Sequence, residues 1–216
     1  AAKKYVDELC IDIPLVLFNG CKIRMSDSEE IIFNKTIEHE VSKNVFDIIN
    51  ENNGTCCFWK DDTLYFNKCD NYTEYYEKLT GIKPNIINQY NEDIFININK
   101  FLWFDTPENL EFIKNNILNN VVGIDCFKSQ NNILEIVPTG INKGEAIKFL
   151  ANYYNIDISE VIAVGDDEND ISMIVAAGLG VAMGNAKQCV KEVADFITLS
   201  NEENGVGKVI CQFMLK

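Results

Sequence analysis

Apolar positions recur in short blocks whose spacing changes along the chain. Residues 1–9 place Tyr5, Val6 and Leu9 on one side of a helix tail. Residues 13–18, Ile-Pro-Leu-Val-Leu-Phe, read as a short strand that stops at the turn pair Asn19-Gly20. Residues 31–37 form another strand. Val41, Val45, Ile48 and Ile49 keep helical spacing over 39–50, and Asn53-Gly54 ends that helix. Two β-rich runs, 55–60 and 63–67, are joined by Asp61-Asp62 as a hairpin. A helix over 71–79 stops at Gly81, and 82–91 is polar and fits neither period. Residues 100–104 form a strand. Thr106-Pro107-Glu108 then supplies a cap, a proline at the first helical position and an early acid, so a helix runs to about 119. Residues 121–128 and 132–137 make a second hairpin.

After Pro138 the texture changes. Helices (143–155, 167–177, 187–194, 207–215) alternate with short apolar strands (161–164, 178–183, 196–199). Such alternation predicts a parallel sheet covered on both faces, while the hairpins before it demand antiparallel pairing. The expected fold is α/β, a doubly wound core assembled from residues 1–20 and 138–216, with an inserted α+β domain at 21–137.

The chain has 216 residues, with 33 acids against 19 bases and a formal charge of −14. That charge repels nucleic acid and anionic lipid, and no apolar run reaches the length of a membrane span. Eight cysteines without a CxxC pair, and the single His39, make a zinc module a poor fit. Without a secretion signal the cysteines read as free thiols of a cytoplasmic protein. Cys56-Cys57 reads as two residues alternating across a strand rather than as a redox pair.

The densest chemistry lies at Ile162-Ala163-Val164-Gly165-Asp166-Asp167-Glu168-Asn169-Asp170. An apolar strand delivers a glycine and then an acidic turn that opens a helix. Ligands of open α/β sheets bind beyond the carboxyl ends of the strands. Carboxylates converging there call for a hard cation such as Mg²⁺, and helix amides favour an anion. Acidic capping of a helix is the plain alternative.

Residues 165–173 (Gly-Asp-Asp-Glu-Asn-Asp-Ile-Ser-Met) resemble the last signature motif of the haloacid dehalogenase (HAD) superfamily, in particular the Cof-like type IIB phosphatases. Residues 180–186 (Gly-Val-Ala-Met-Gly-Asn-Ala) are similar to the stretch that follows it, Asn142-Lys143-Gly144 to the lysine motif after the cap, and 15–20 to the strand leading into the cap. The resemblance implies that Asp166 ligates Mg²⁺ and that Asp170 orients metal-bound water or supports the metal from behind its direct ligands. It implies that Asn169 binds the transferring phosphoryl group, and that Lys143 pairs with phosphate and nucleophile. A solvated lysine at a helix start is the plain alternative for Lys143. Asn19 is a weaker candidate for substrate binding near the cap hinge, where it also reads as a simple turn residue.

One departure stands out. The family uses an aspartate nucleophile in a DxD motif and a Ser/Thr motif on the next strand, and this sequence contains no Asp-x-Asp. Neither Asp12 nor Asp125 has the family's context. Residues 1–9 resemble the helix after the Ser/Thr motif, so the N-terminal strand and its motifs, roughly 30 residues or more, are expected upstream.

These readings converge on a Mg²⁺-dependent phosphatase of small phosphorylated metabolites, sugar phosphates or phosphorylated cofactors, acting through an aspartyl-phosphate. Neither nucleic acid nor membrane is an expected partner. A nucleophile-free phosphate-binding or regulatory protein and a phosphomutase of the same superfamily are the alternatives. A P-type ATPase fragment fits less well, for want of a membrane span. The variable cap, which sets specificity, leaves the substrate open.

Overall fold

In the computed structural model, residues 2–10, 12–28, 30–60, 62–87 and 92–215 are described. The chain divides into two compact units, residues 1–141 and 142–216.

The first unit opens with helix α1 (Ala2–Leu9) and strands β1 (Leu15–Leu17), β2 (Lys22–Arg24) and β3 (Ile31–Asn34). It continues through α2 (His39–Glu51), the β4–β5 hairpin (Thr55–Lys60, Thr63–Phe66), α3 (Asn71–Thr80), β6 (Asn85–Ile86), β7 (Ile98–Phe104), α4 (Pro107–Asn120) and the β8–β9 hairpin (Ile124–Gln130, Ile133–Pro138). Both expected hairpins are present. Asp61, in the first hairpin turn, and residues 88–91 of the ambiguous stretch lie outside the described residues.

Three readings of this unit are corrected. The strand after α1 does not join a parallel sheet. β1 pairs antiparallel with β2, and β2 with β3, in a separate three-stranded sheet. β2 itself was not anticipated, because Lys22 and Arg24 break the apolar run. Ile37 is an isolated bridge to Ile98 rather than the end of a strand. Residues 1–20 lie in the first compact unit, where β1 pairs with β2.

The main sheet has the order β6-β5-β4-β7-β9-β8. Side chains alternate between its faces. Phe58, Phe101, Trp103, Leu134 and Ile136 pack on one side with Val45, Phe46 and Ile49 of α2 and Leu110, Ile113 and Ile117 of α4. Cys57, Leu64, Phe66, Leu102 and Phe104 pack on the other with Tyr72 and Tyr76 of α3. Cys56 and Cys57 thus point to opposite faces. Burial pushes both thiols well up, and Cys21 and Cys126 to about 12, which removes them from thiolate chemistry at neutral pH.

The second unit contains α5 (Lys143–Tyr153), β10 (Ile162–Gly165), α6 (Ile171–Ala176), β11 (Leu179–Ala182), α7 (Gln188–Lys191), β12 (Phe196–Ile197) and α8 (Gly205–Val209). β10, β11 and β12 form the expected parallel sheet, with Ile162 opposite Leu179 and Gly165 opposite Ala182. Ile174, Ala182, Met183, Ala186 and Val190 make its core. The helix expected over 167–177 is split: Glu168–Asp170 forms a 3-10 turn before α6 begins. Across that turn Asp167 and Asp170 close a reciprocal capping box.

Candidate active site

The end of β10 is shaped by a close approach. A Cβ at Gly165 would overlap the side chain of Asp170, so only glycine admits that carboxylate beneath the turn. Asp170 is 4% exposed. Its Oδ2 accepts the backbone N–H groups of Asp166 (2.9 Å) and Asp167 (3.1 Å), and its Oδ1 takes an ion pair from Lys143 Nζ. A buried carboxylate needs such partners, and here both oxygens are engaged.

Lys143 stands at the first position of α5. Asn142 caps that helix by accepting from Glu145 N at 2.9 Å, and Gly144 N donates to Ser172 Oγ at 3.0 Å. The start of α5 is thereby fixed against the start of α6, and the lysine stem is aimed at Asp170. The plain reading of Lys143 as a solvated lysine does not match this pairing.

The four acids of the turn are not equivalent. Lys187 Nζ lies 2.7 Å from Asp167 Oδ1 and 3.2 Å from Glu168 Oε1. Partial burial pushes the Asp167 carboxyl up, but Lys187 and the Glu168 amide outweigh it and hold it below the usual range. The hydrogen bond to Asp167, reinforced by Glu168, raises Lys187. Asp170 is paired with Lys143. Asp166 is exposed and, among the described residues, has no lysine partner. Its Oδ2 accepts from Asn185 Nδ2 at 3.1 Å, and its Oδ1 has no hydrogen-bond partner among the described residues. Asn169 sits half-buried in the same 3-10 turn. Asn19 lies in the first unit, in a left-handed turn, and donates to Glu135 Oε2 at 2.5 Å. Sequence reasoning named Asn185 as part of a motif but gave it no role. Its partners are 19 residues back and 16 residues on, so no local signal marks it.

The cation that such a turn implies can be tested on these residues. Among the described residues no three His, Cys, Asp or Glu side chains converge to hold a metal on their own. Mg²⁺ takes one or two carboxylates and completes its shell with water and phosphate. One exposed carboxylate without a lysine fits that demand as a single contribution from this chain.

The sequence pattern of the haloacid dehalogenase-like hydrolases matches residues 1–210. The chain belongs to that family. A crystal structure of a haloacid dehalogenase-like hydrolase from Bacteroides thetaiotaomicron is 29% identical, with a TM-score of 0.90 over 99% of this chain and 82% of its own. The Bacillus subtilis (strain 168) protein YxeH is 29% identical over 99% of the chain and 81% of its own length. The 5-amino-6-(5-phospho-D-ribitylamino)uracil phosphatase YcsE of the same organism is 48% identical over 38% of the chain and 33% of its own length. Coverage varies widely. The chain spans only 48% of the Bacillus subtilis phosphatase YwpJ, and 20% of an Arabidopsis thaliana chloroplast protein named endoribonuclease YBEY. The relatives named as phosphatases and the family's own description agree on hydrolase chemistry.

Proposed function

We propose that this chain carries part of the catalytic centre of a Mg²⁺-dependent phosphatase acting on small phosphorylated metabolites. The observation that carries the reading is the asymmetry of the acidic turn: among the described residues Asp167, Glu168 and Asp170 each have a lysine, and Asp166 does not. An exposed carboxylate left open beyond a parallel strand is a ligand for a cation rather than a helix cap.

In this reading Asp166 holds Mg²⁺, which supplies charge neutralisation at the phosphoryl oxygens. Lys143 is held by Asp170 and offsets negative charge on the phosphate as it builds. Both oxygens of Asp170 already have partners within the chain. Asp170 acts by keeping the amides of Asp166 and Asp167 in place, and so supports the site from behind. Asn169 donates to the phosphate from the same turn. The attacking aspartate, which would form the aspartyl-phosphate, is required from outside these 216 residues, because no Asp-x-Asp occurs within them. Residues 1–20 and 138–216 then belong to the hydrolase core and 21–137 to an inserted cap. The break between units after Ile141 supports that boundary. Asn19, engaged by Glu135, keeps only a minor place in substrate binding.

Substrates of this class are sugar phosphates or phosphorylated cofactor precursors, of the kind named for YcsE. No helix among the described residues is long and apolar enough to cross a membrane, and the eight free thiols suit a reducing cytoplasm. The acidic surface offers nothing to nucleic acid.

The test is phosphate release from a panel of phosphorylated metabolites by the native full-length protein, with Mg²⁺ and with chelator. Mg²⁺-dependent release from a subset of the panel is expected. Phosphate binding without release would favour the nucleophile-free binding protein, which the missing Asp-x-Asp also fits. Return of the phosphoryl group to another position of the substrate would mark a mutase.

A further inference from the structure

The open carboxylate raises a physical question of its own. An exposed aspartate without a salt bridge rotates freely, and a freely rotating ligand loses entropy when it binds a cation. Asp166 is exposed and yet not free. Its backbone is clamped on both sides: its N–H donates to Asp170 Oδ2, and its carbonyl accepts from Lys187 N at 3.1 Å. Its side chain is held by Asn185.

The orientation of the Asn185 amide follows from its other contact. Asn201 donates its backbone N–H to Asn185 Oδ1 at 3.0 Å. A donor must face the oxygen of that amide, so the NH₂ group is turned to Asp166 Oδ2. Asn185 is itself anchored, since Gly184 N donates to Leu199 O at 3.0 Å and Ala186 N to Met183 O at 2.9 Å. Asn201 opens a 3-10 turn fixed by the Ser200–Glu203 capping box. The line from 201 to 166 is thus anchored at both ends by its neighbours in the fold.

We propose that Asn185, oriented by the backbone of Asn201, is a positioning residue that presents the Asp166 carboxylate to its cation. The inference rests on the metal reading of Asp166 given above. An amide suits the role because it is a neutral donor. It occupies one lone pair of Oδ2 and leaves Oδ1 and the full negative charge for the metal. A lysine at the same place would neutralise the carboxylate, as Lys187 does for Asp167. Partners that orient metal ligands typically contribute about 10–100-fold to metal affinity.

The experiment is Mg²⁺ titration of the native full-length protein by calorimetry, beside Asn185→Ala and Asn201→Pro. Asn201→Pro deletes the N–H that orients the amide, along with an exposed side-chain contact from Asn201 Nδ2 to Glu202 Oε1 at 3.4 Å. Proline is tolerated at the first position of a helical turn, and Ser200 already has the extended backbone (φ −69°, ψ 168°) that a following proline prefers. Asn185→Ala is expected to weaken Mg²⁺ binding roughly tenfold or more. Asn201→Pro should weaken it in the same direction by less. Thermal unfolding of Asn185→Ala should match wild type, because the side chain is exposed. The Asn185 side-chain amide resonance should also move on Mg²⁺ addition, which a merely structural contact would not do. Wild-type affinity in Asn185→Ala, with an unmoved amide resonance, would overturn the proposal and leave the metal reading intact. Absence of Mg²⁺ binding in the wild type would remove the metal reading itself, and the proposal with it.

Discussion

Each unit of the chain places a lysine against a carboxylate near its centre, and the two pairs are built for different ends. In the first unit Lys100 Nζ lies 2.8 Å from Glu135 Oε2, with the side chains only 12% and 9% exposed. Glu135 also accepts from Asn19 and sits in β9 among buried Ile133, Leu134, Ile136 and Val137. That pair is closed: charge, counter-charge and amide are enclosed together. In the second unit Lys143 is 30% exposed against a 6% exposed Asp170, and the open carboxylate of Asp166 lies on the same turn. A buried pair whose groups satisfy each other holds structure, and at best breaks even against an apolar replacement. A pair with one exposed member beside an unneutralised acid leaves charge available to a ligand. An ion pair marks function less by being present than by what its neighbours leave unpaired.

The comparison is broken most severely at Asp166. Asp166→Ala should lower Mg²⁺-dependent phosphate release on the order of 10³-fold or more, about 4 kcal/mol of barrier, with folding nearly intact because the residue is exposed. Steady-state kinetics beside a thermal melt check both halves. The closed pair should behave in the opposite way. Glu135→Leu leaves Lys100 buried without its carboxylate and should cost about 3 kcal/mol of stability, while Lys100→Met/Glu135→Leu should recover most of it. Urea unfolding of the single and double variants decides this. An additive double variant would show that the two charges do not form one enclosed unit. Lys143→Met comes next, with phosphate release down by about 10²-fold, or about 2.7 kcal/mol. Its stability cost should be only about 1 kcal/mol, because Asp170 keeps two amide donors. A near-normal rate would return Lys143 to the role of a surface lysine.

The two units also differ in how far the sequence discloses them. In the second, the acids of the turn and the amides they bind are local, whereas Lys143 and Asn185 reach them across 27 and 19 residues. The apolar strand, the glycine and the acids stand next to one another, and Asn142-Lys143 announces the helix that carries the lysine. The family resemblance sharpened this by separating Asp166 from Asp167, which composition alone does not distinguish. Even there the 3-10 turn was hidden, because nothing in Asp167–Asn169 shows that the Asp170 side chain folds back. In the first unit the hairpins were legible from alternation and turn residues. The pairing of β1 was not: three apolar residues fit a parallel core strand as well as an antiparallel edge. The partner strand β2 carries Lys22 and Arg24, which erase its apolar signal. Glu135 gave no warning either, since its counter-charge comes from β7, 35 residues earlier.

The smallest expected effect concerns the pair that screens the acidic turn. Lys187 and Asp167 are 48% and 36% exposed, so their attraction is damped by solvent and should contribute no more than about 0.2–1 kcal/mol. The direction with pH is still fixed. Asp167 titrates below its ordinary value of 3.8 in the folded protein, so it binds fewer protons there than when unfolded. Its contribution is complete above that value and is lost as the pH falls through the lower folded value. Lys187 is raised above its ordinary 10.5, so its contribution is complete below that value and fades as the pH climbs past it. Lys187→Ala should therefore lower stability by a few tenths of a kcal/mol at pH 7, with the difference from wild type shrinking below pH 3.8 and vanishing once the pH has passed the lower folded value of Asp167. Melting curves of the two proteins across that range provide the check. A loss of several kcal/mol at neutral pH would mean that Lys187 does more than screen Asp167 and Glu168. The acidic turn would then depend on it as the buried Glu135 of the first unit depends on Lys100, and the contrast between a closed pair and an open site would fail.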